Sequence, residues 1–458
     1  MTLSLNNEPC EQRKNTNLRA IVLRMHTVAG ILIAPLIFVA AVSGLGYALC
    51  PTIEQWVYHD QINTTVPQQA QRLDVQQQVQ AAVAAAEDGS LAGLQSDQAQ
   101  LAGVQLYEEP DKNTRVLFSD PNLKEGVYHA VFVDPYTAEI KGQLEQYGKS
   151  SALPLTQWMS FGHKDLWLGT PGRIYSELAA SWLGFFAFSG VALWWQLQAK
   201  GSSRLQGMFR WPKAKRSGTR LQYLRQHGVV GTALVAGLLF LCVTGLTWSL
   251  VAGANIAKVR NEFGWAPPRT DASMAQSITI DDPVADIDTV ASTATENLRL
   301  PLRLMLPAQA GQGWVATESR QPYRMSTDAL SIDSEGEVLS WNRFDSWPLE
   351  AKATVWLIQL HMGTLFGLPN QLALVALALG IIFLVVRGYQ IWARRGFGNA
   401  PRVRSLRPLA SKQGAAFLLA LGIYSLVAPL FGISLVVLFA LDWGLSKVGE
   451  AIKLEEEN

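Results

Sequence analysis

Five uncharged stretches, at 27–50, 178–195, 228–257, 366–386 and 413–441, are each long enough to cross a bilayer core. Backbone groups inside hydrocarbon must be satisfied internally, so runs of this length predict a mainly α membrane protein with five transmembrane helices. Composition agrees, since 49% of the 458 residues are hydrophobic and only 16% are charged. This composition leans away from a simple soluble enzyme, and nothing in the charge pattern calls for a nucleic-acid partner.

Charge sets the orientation. Residues 198–226 hold Lys200, Arg204, Arg210, Lys213, Lys215, Arg216, Arg220 and Arg225 and no acid, and 387–413 hold seven basic residues and no acid. Both loops are expected on the cytoplasmic side. Segments 51–155 and 255–354 each carry fourteen acids, against six and nine bases, and are placed outside. Arg13, Lys14, Arg19 and Arg24 hold the N-terminus inside, which reads the first run as an uncleaved anchor. The expected order is a cytoplasmic tail (1–18), a helix (19–50), an outer lobe (51–157), an outer turn with a second helix (158–197) and a basic loop (198–222). A third helix (223–254), a second outer lobe (255–354), a turn with a fourth helix (355–393), a basic loop (394–412), a fifth helix (413–441) and an outer tail (442–458) complete it.

The membrane part repeats. "LRMHTVAG" at 23–30 returns as "LRQHGVVG" at 224–231, so that an offset of 201 carries His26 to His227, Gly30 to Gly231 and Gly44 to Gly245. At an offset of 198, Trp158, His163, Gly169 and Pro171 fall on Trp356, His361, Gly367 and Pro369, and further on Gly190 and Trp194 fall on Gly388 and Trp392. Each half reads as helix, outer lobe, helix, so the halves are parallel repeats about an axis along the membrane normal. The fifth helix has no partner, and its Gly422, Pro429 and Gly432 leave open whether it is straight. The outer lobes read as two small α+β pieces of similar build. "YHAVFVDPYTAEIKGQL" and "ALSIDSEGEVLSW" alternate like hairpins, and "DVQQQVQAAVAAAE" has a helical period with solvent-facing Gln.

Four of the six histidines belong to the repeat. In this topology His26 and His227 lie near the cytoplasmic face, and His163 and His361 near the outer face. The helix between the two levels spans about 30 Å, so pairing must run across the halves. Two imidazoles from facing helices commonly hold a six-coordinate haem iron. Gly30 and Gly231, one turn from the inner pair, leave room for a flat macrocycle. Gly44 and Gly245, five turns on, return to that face about 27 Å further out, where a second haem would need clearance. A proton relay or a divalent metal site are other uses of the same residues. A relay calls for intramembrane carboxylates, and Glu177 stands alone. Met25, Met159 and Met362 adjoin the histidines as further possible ligands, although sequence neighbours point to different helix faces. His59 and His129 are ordinary outer residues, and the tryptophan pairs read as interfacial belts. Cys10, Cys50 and Cys242 form no C-x-x-C-H, so any haem is held noncovalently.

These residues resemble the PepSY-associated transmembrane family. The likeness rests on His26, Gly30 and Gly44 as "H-x-x-x-G... G", on His361, Gly363, Gly367 and Pro369 as the later turn, and on "VDPYTAEI" at 133–140 as the lobe hairpin. It covers nearly all of 20–396, departing at Lys164-Asp165 and at Ala138, where the family usually has a small residue and glycine. The resemblance implies a bacterial inner-membrane protein whose two b-type haems carry electrons outward to reduce ferric siderophores in the periplasm, with His26, His163, His227 and His361 matching the family's histidines. Its lobes would be PepSY-like and periplasmic, its surroundings membrane lipid. No G-x-G-x-x-G opens a nucleotide-binding unit, so the electron donor is expected to be quinol or a separate reductase. No acid, base or nucleophile is nominated as catalytic. Two other functions compete: a siderophore permease component, which would need polar broken helices where only Pro35 interrupts the first, and a membrane-anchored binding or regulatory module.

Overall fold

The computed structural model describes residues 10–456 apart from 70, 92–93, 95–98, 149, 199–202, 212–217, 274–282, 308, 310, 397–400, 402 and 404. Lys200, Lys213, Lys215 and Arg216 of the first basic loop therefore lie outside the described residues. The chain forms two compact units, one of residues 1–45, 161–262 and 374–458, the other of 46–160 and 263–373.

Along the chain run α1 (Cys10–Val57), α2 (His59–Ile62), α3 (Val75–Glu87), β1 (Gln100–Leu106), β2 (Thr114–Ser119), β3 (Val127–Val133), β4 (Ile140–Tyr147), α4 (Pro154–Asp165), α5 (Thr170–Gln196), α6 (Arg204–Phe209), α7 (Arg220–Thr247) and α8 (Val251–Glu262). The second half adds α9 (Pro283–Asn297), β5 (Leu302–Met305), β6 (Trp314–Glu318), β7 (Ala329–Ile332), β8 (Val338–Asn342), α10 (Leu349–His361), α11 (Leu368–Ala393), α12 (Lys412–Val427) and α13 (Pro429–Glu456).

Among the described residues, four helices are long and apolar enough to cross a membrane: Leu18–Val57 of α1, then α5, α7 and α11. The helix starts preserve the repeat, Thr170 and Leu368 standing 198 residues apart. Pro35 does not break α1, which runs unbroken for 48 residues. A proline has no N–H for the carbonyl four residues back, here Ile31. The Tyr389 hydroxyl donates to that carbonyl at 2.7 Å, supplying the missing bond from another helix. Glu177 is buried and accepts from the Val251 and Ala252 N–H groups at 2.7 and 3.0 Å. It satisfies two N–H groups of the first turn of α8.

The expected fifth span is instead two shorter helices, α12 and α13, joined at Ala428. Pro429 removes the donor that would continue α12 and suits the first position of α13. The two pack as a hairpin. Ser425 lies against Gly432, where a Cβ would come within 2.7 Å of the serine side chain. Further along, α13 pairs Asp442 with Arg24 of α1 at 2.7 Å through both carboxylate oxygens. Asp442 is therefore level with Arg24, and the segment from 442 starts on the Arg24 side of the bundle, not on the opposite face as expected for 442–458. Trp182 of α5 anchors the hairpin by donating to Ser434 Oγ at 2.9 Å.

In the other unit the two expected lobes are fused into one sheet. Its order is β4-β3-β2-β1-β5-β6-β7-β8, antiparallel throughout. Each half is a four-strand meander with one helix, and β1 and β5 form the seam. Gly103 is required there, since a Cβ would lie 2.3 Å from the Leu304 carbonyl oxygen. Val79 and Ala82 of α3 and Ile287 and Val290 of α9 bury against Val104, Val131, Leu304 and Leu330 in one core. Joining the halves completes an apolar face that neither meander covers alone. Both predicted hairpins form, as β3–β4 and β7–β8. Gln78 of α3 is buried, unlike the expected solvent-facing glutamines, and donates to the Leu73 carbonyl at 2.8 Å.

Candidate functional site

The repeated phrase places His26 on α1 and His227 on α7, both in the helical unit. Their ring centroids are 6.4 Å apart and the rings are close to perpendicular, at 85°. A metal centre bound here would take one ring nitrogen from each of these two histidines.

Hydrogen bonds fix which nitrogen of each ring is free. His26 Nδ1 lies 2.8 Å from Ser189 Oγ, and that hydroxyl spends its proton on the Phe185 carbonyl at 2.6 Å. The serine can then only accept, so His26 is protonated on Nδ1. His227 Nδ1 lies 3.0 Å from the Leu384 carbonyl oxygen, which also only accepts. In the neutral form each ring then carries its lone pair on Nε2, the form in which imidazole binds a metal.

Between α1, α5, α7 and α11 lies a cavity of about 330 Å³ with His26, His227, Gly30 and Gly231 in its wall. A Cβ at Gly30 would meet nothing within 4 Å, and one at Gly231 only Leu384 at 3.7 Å, so both glycines border open space. Gly190 and Gly388 seat the rings themselves: a Cβ there would come 3.4 Å from His26 Cε1 and 3.8 Å from His227 Cε1. The sequence repeat sets Gly190 on Gly388 but does not show that they seat the rings, and it gives no sign of Ser189.

Two neutral imidazoles in apolar walls suit a six-coordinate haem iron. A bare divalent cation would call for more donors, and among the described residues no three His, Cys, Asp or Glu converge. The cavity residues fit a flat, noncovalently held macrocycle.

The outer histidines fall in different units. His163, on α4, belongs to the helical unit, and His361, ending α10, to the sheet unit. His163 Nδ1 lies 3.1 Å from Ser43 Oγ, whose proton goes to the Val39 carbonyl at 2.9 Å. Gly44 seats His163 directly, with a Cβ falling 3.0 Å from its Cε1, where clearance for a macrocycle was expected. Gly245 is a close helix contact instead, its Cβ position 3.3 Å from that of Ala180. The methionines are otherwise engaged. Met25 is buried in the helical core, Met159 packs on Gly46, and Met362 Sδ lies 3.7 Å from Arg320. Trp194 is buried, donating to the Met208 carbonyl at 3.1 Å, so it is no part of an interfacial belt.

Four apolar helices around a paired-histidine cavity, with an eight-stranded antiparallel sheet in a separate unit, define a multi-pass membrane protein. Its sequence matches the model of the PepSY-associated TM region over residues 23–395, and the chain belongs to that family. No curated protein matches it.

Proposed function

We propose that this protein is a transmembrane reductase that carries electrons to ferric siderophores on the far side of a bacterial inner membrane, through two noncovalently bound b-type haems. The observation that carries the reading is the His26–His227 pair, with both rings held in the metal-binding tautomer over a cavity cleared by glycines.

Bound haem would supply one-electron redox chemistry. The chain's own residues do the rest. Ser189 and the Leu384 carbonyl orient the imidazoles and make them better donors. Gly190 and Gly388 let the rings lie close to their neighbouring helices. Apolar walls from Phe186 and Leu238 keep water out, which favours the less charged state of a bound metal centre. The expectation of a second haem rests on the sequence repeat alone, in which His163 and His361 are the other repeated histidines. One electron turns Fe(III) into Fe(II), which hard oxygen donors hold more weakly, so release needs no acid or base from the protein. The electrons come from quinol or a partner reductase.

The test is reconstitution in liposomes with dithionite trapped inside and a ferric siderophore plus an Fe(II)-specific chelator outside. Chelated Fe(II) should form only with haem-loaded protein. Equal rates with haem-free protein would refute the reading.

A further inference from the structure

The cavity between the inner histidines has one charged edge. Arg19 of α1, Arg220 at the start of α7 and Arg395 just after α11 all line it, although the rest of its wall is almost wholly apolar. None of the three makes an ion pair among the described residues. The Arg19 Nε is buried and has no hydrogen-bond partner there. Burial, and then the like charge of Arg220, push the Arg395 guanidinium below its ordinary value. The bundle neutralises a cation where it needs to, since nearby Arg24 has Asp442 on both oxygens. Arg220 is exposed and Arg19 and Arg395 are half-buried, so the buried Arg19 Nε is the group that most lacks a partner, and an anion at this edge would complete it while drawing on the other two charges.

We propose that Arg19, Arg220 and Arg395 form a carboxylate-binding rim, so that the cavity's occupant is an amphiphile with an apolar body between the histidines and its acid groups at the Arg19 end. This rests on the haem reading above and gives it an orientation: the two propionates of the porphyrin meet the arginines. Arginine is suited to this, because its planar fork grips a carboxylate through two parallel bonds. The acid head of an anionic lipid has the same chemistry, and the experiment separates the two.

Full-length protein is loaded with native haem or with its dimethyl ester, in which both propionates are uncharged. Transfer of each to apomyoglobin is followed by absorbance, with and without added phosphatidylglycerol. Native haem should leave wild-type protein more slowly than the ester, on the order of tenfold after allowing for the partial exposure of the rim. R19Q/R220Q/R395Q should erase that difference by accelerating native haem alone, and Arg→Lys at all three positions should restore part of it. Because native haem and ester are compared on wild-type protein, the test survives if the triple variant fails to fold. Equal retention of acid and ester forms would overturn the rim while leaving the haem site standing. So would a triple variant that releases both forms faster by the same factor, or release governed by phosphatidylglycerol instead of the porphyrin's acids. Wild-type protein that holds neither form would overturn the haem reading itself.

Discussion

His26 and His227 face each other across 6.4 Å, and each is pinned through Nδ1 by an acceptor on a neighbouring helix, Ser189 on α5 for one and the Leu384 carbonyl on α11 for the other. All four membrane-crossing helices thus contribute to the geometry of one pair of rings.

Ser189 is the pinning group that a side-chain change can remove. Ser189→Ala should leave the fold intact but free the His26 ring to rotate and change tautomer, weakening haem binding at the inner site about 10–100-fold. Haem titration of the purified variant checks this, and an unchanged affinity would mean that Ser189 does not orient the ligand.

Tyr389 is expected to matter only because of Pro35. Tyr389→Phe leaves the Ile31 carbonyl without its donor and should cost about 1–2 kcal/mol of stability. In a Pro35→Ala background the helix regains its own N–H, and the same change should cost much less. Thermal unfolding of the four proteins closes the cycle, and additive effects would contradict the pairing.

Ala138 sits at φ 57°, a left-handed conformation in the turn of the β3–β4 hairpin. Ala138→Gly should stabilise the sheet unit by about 0.5–1 kcal/mol, since only glycine adopts this conformation without steric cost. A lower unfolding midpoint would show that the lost methyl contact outweighs the relieved backbone.

The Arg24–Asp442 pair predicts sidedness. With Cys10, Cys50 and Cys242 replaced, single cysteines at the exposed Leu205 and Trp443 should react with a membrane-impermeant thiol reagent from the same side. Labelling from opposite sides would mean that α12 and α13 do not return as a hairpin.

How much of this is legible in the sequence depends on range. The four spans and the repeat can be read because hydrophobic length and the spacing of His, Gly and Trp are local signals. The hairpin cannot, because an uncharged run looks the same whether it crosses once or turns back at Ala428, and the deciding contact joins Arg24 to Asp442. The single sheet is hidden for the same reason, its seam pairing Val104 with Leu304. At the site, the histidines announce themselves and Ser189 does not. A serine in a membrane helix ordinarily bonds back to its own turn, and Ser189 does that to Phe185 while also accepting from His26.

The most direct test of the account is a reduced-minus-oxidised absorption spectrum of the purified protein with a pyridine haemochrome count, on wild-type protein and on His26→Ala and His227→Ala. Two b-type haems per chain, falling to one in either variant, is the result this account predicts. A colourless wild-type protein made with ample haem supply would contradict it.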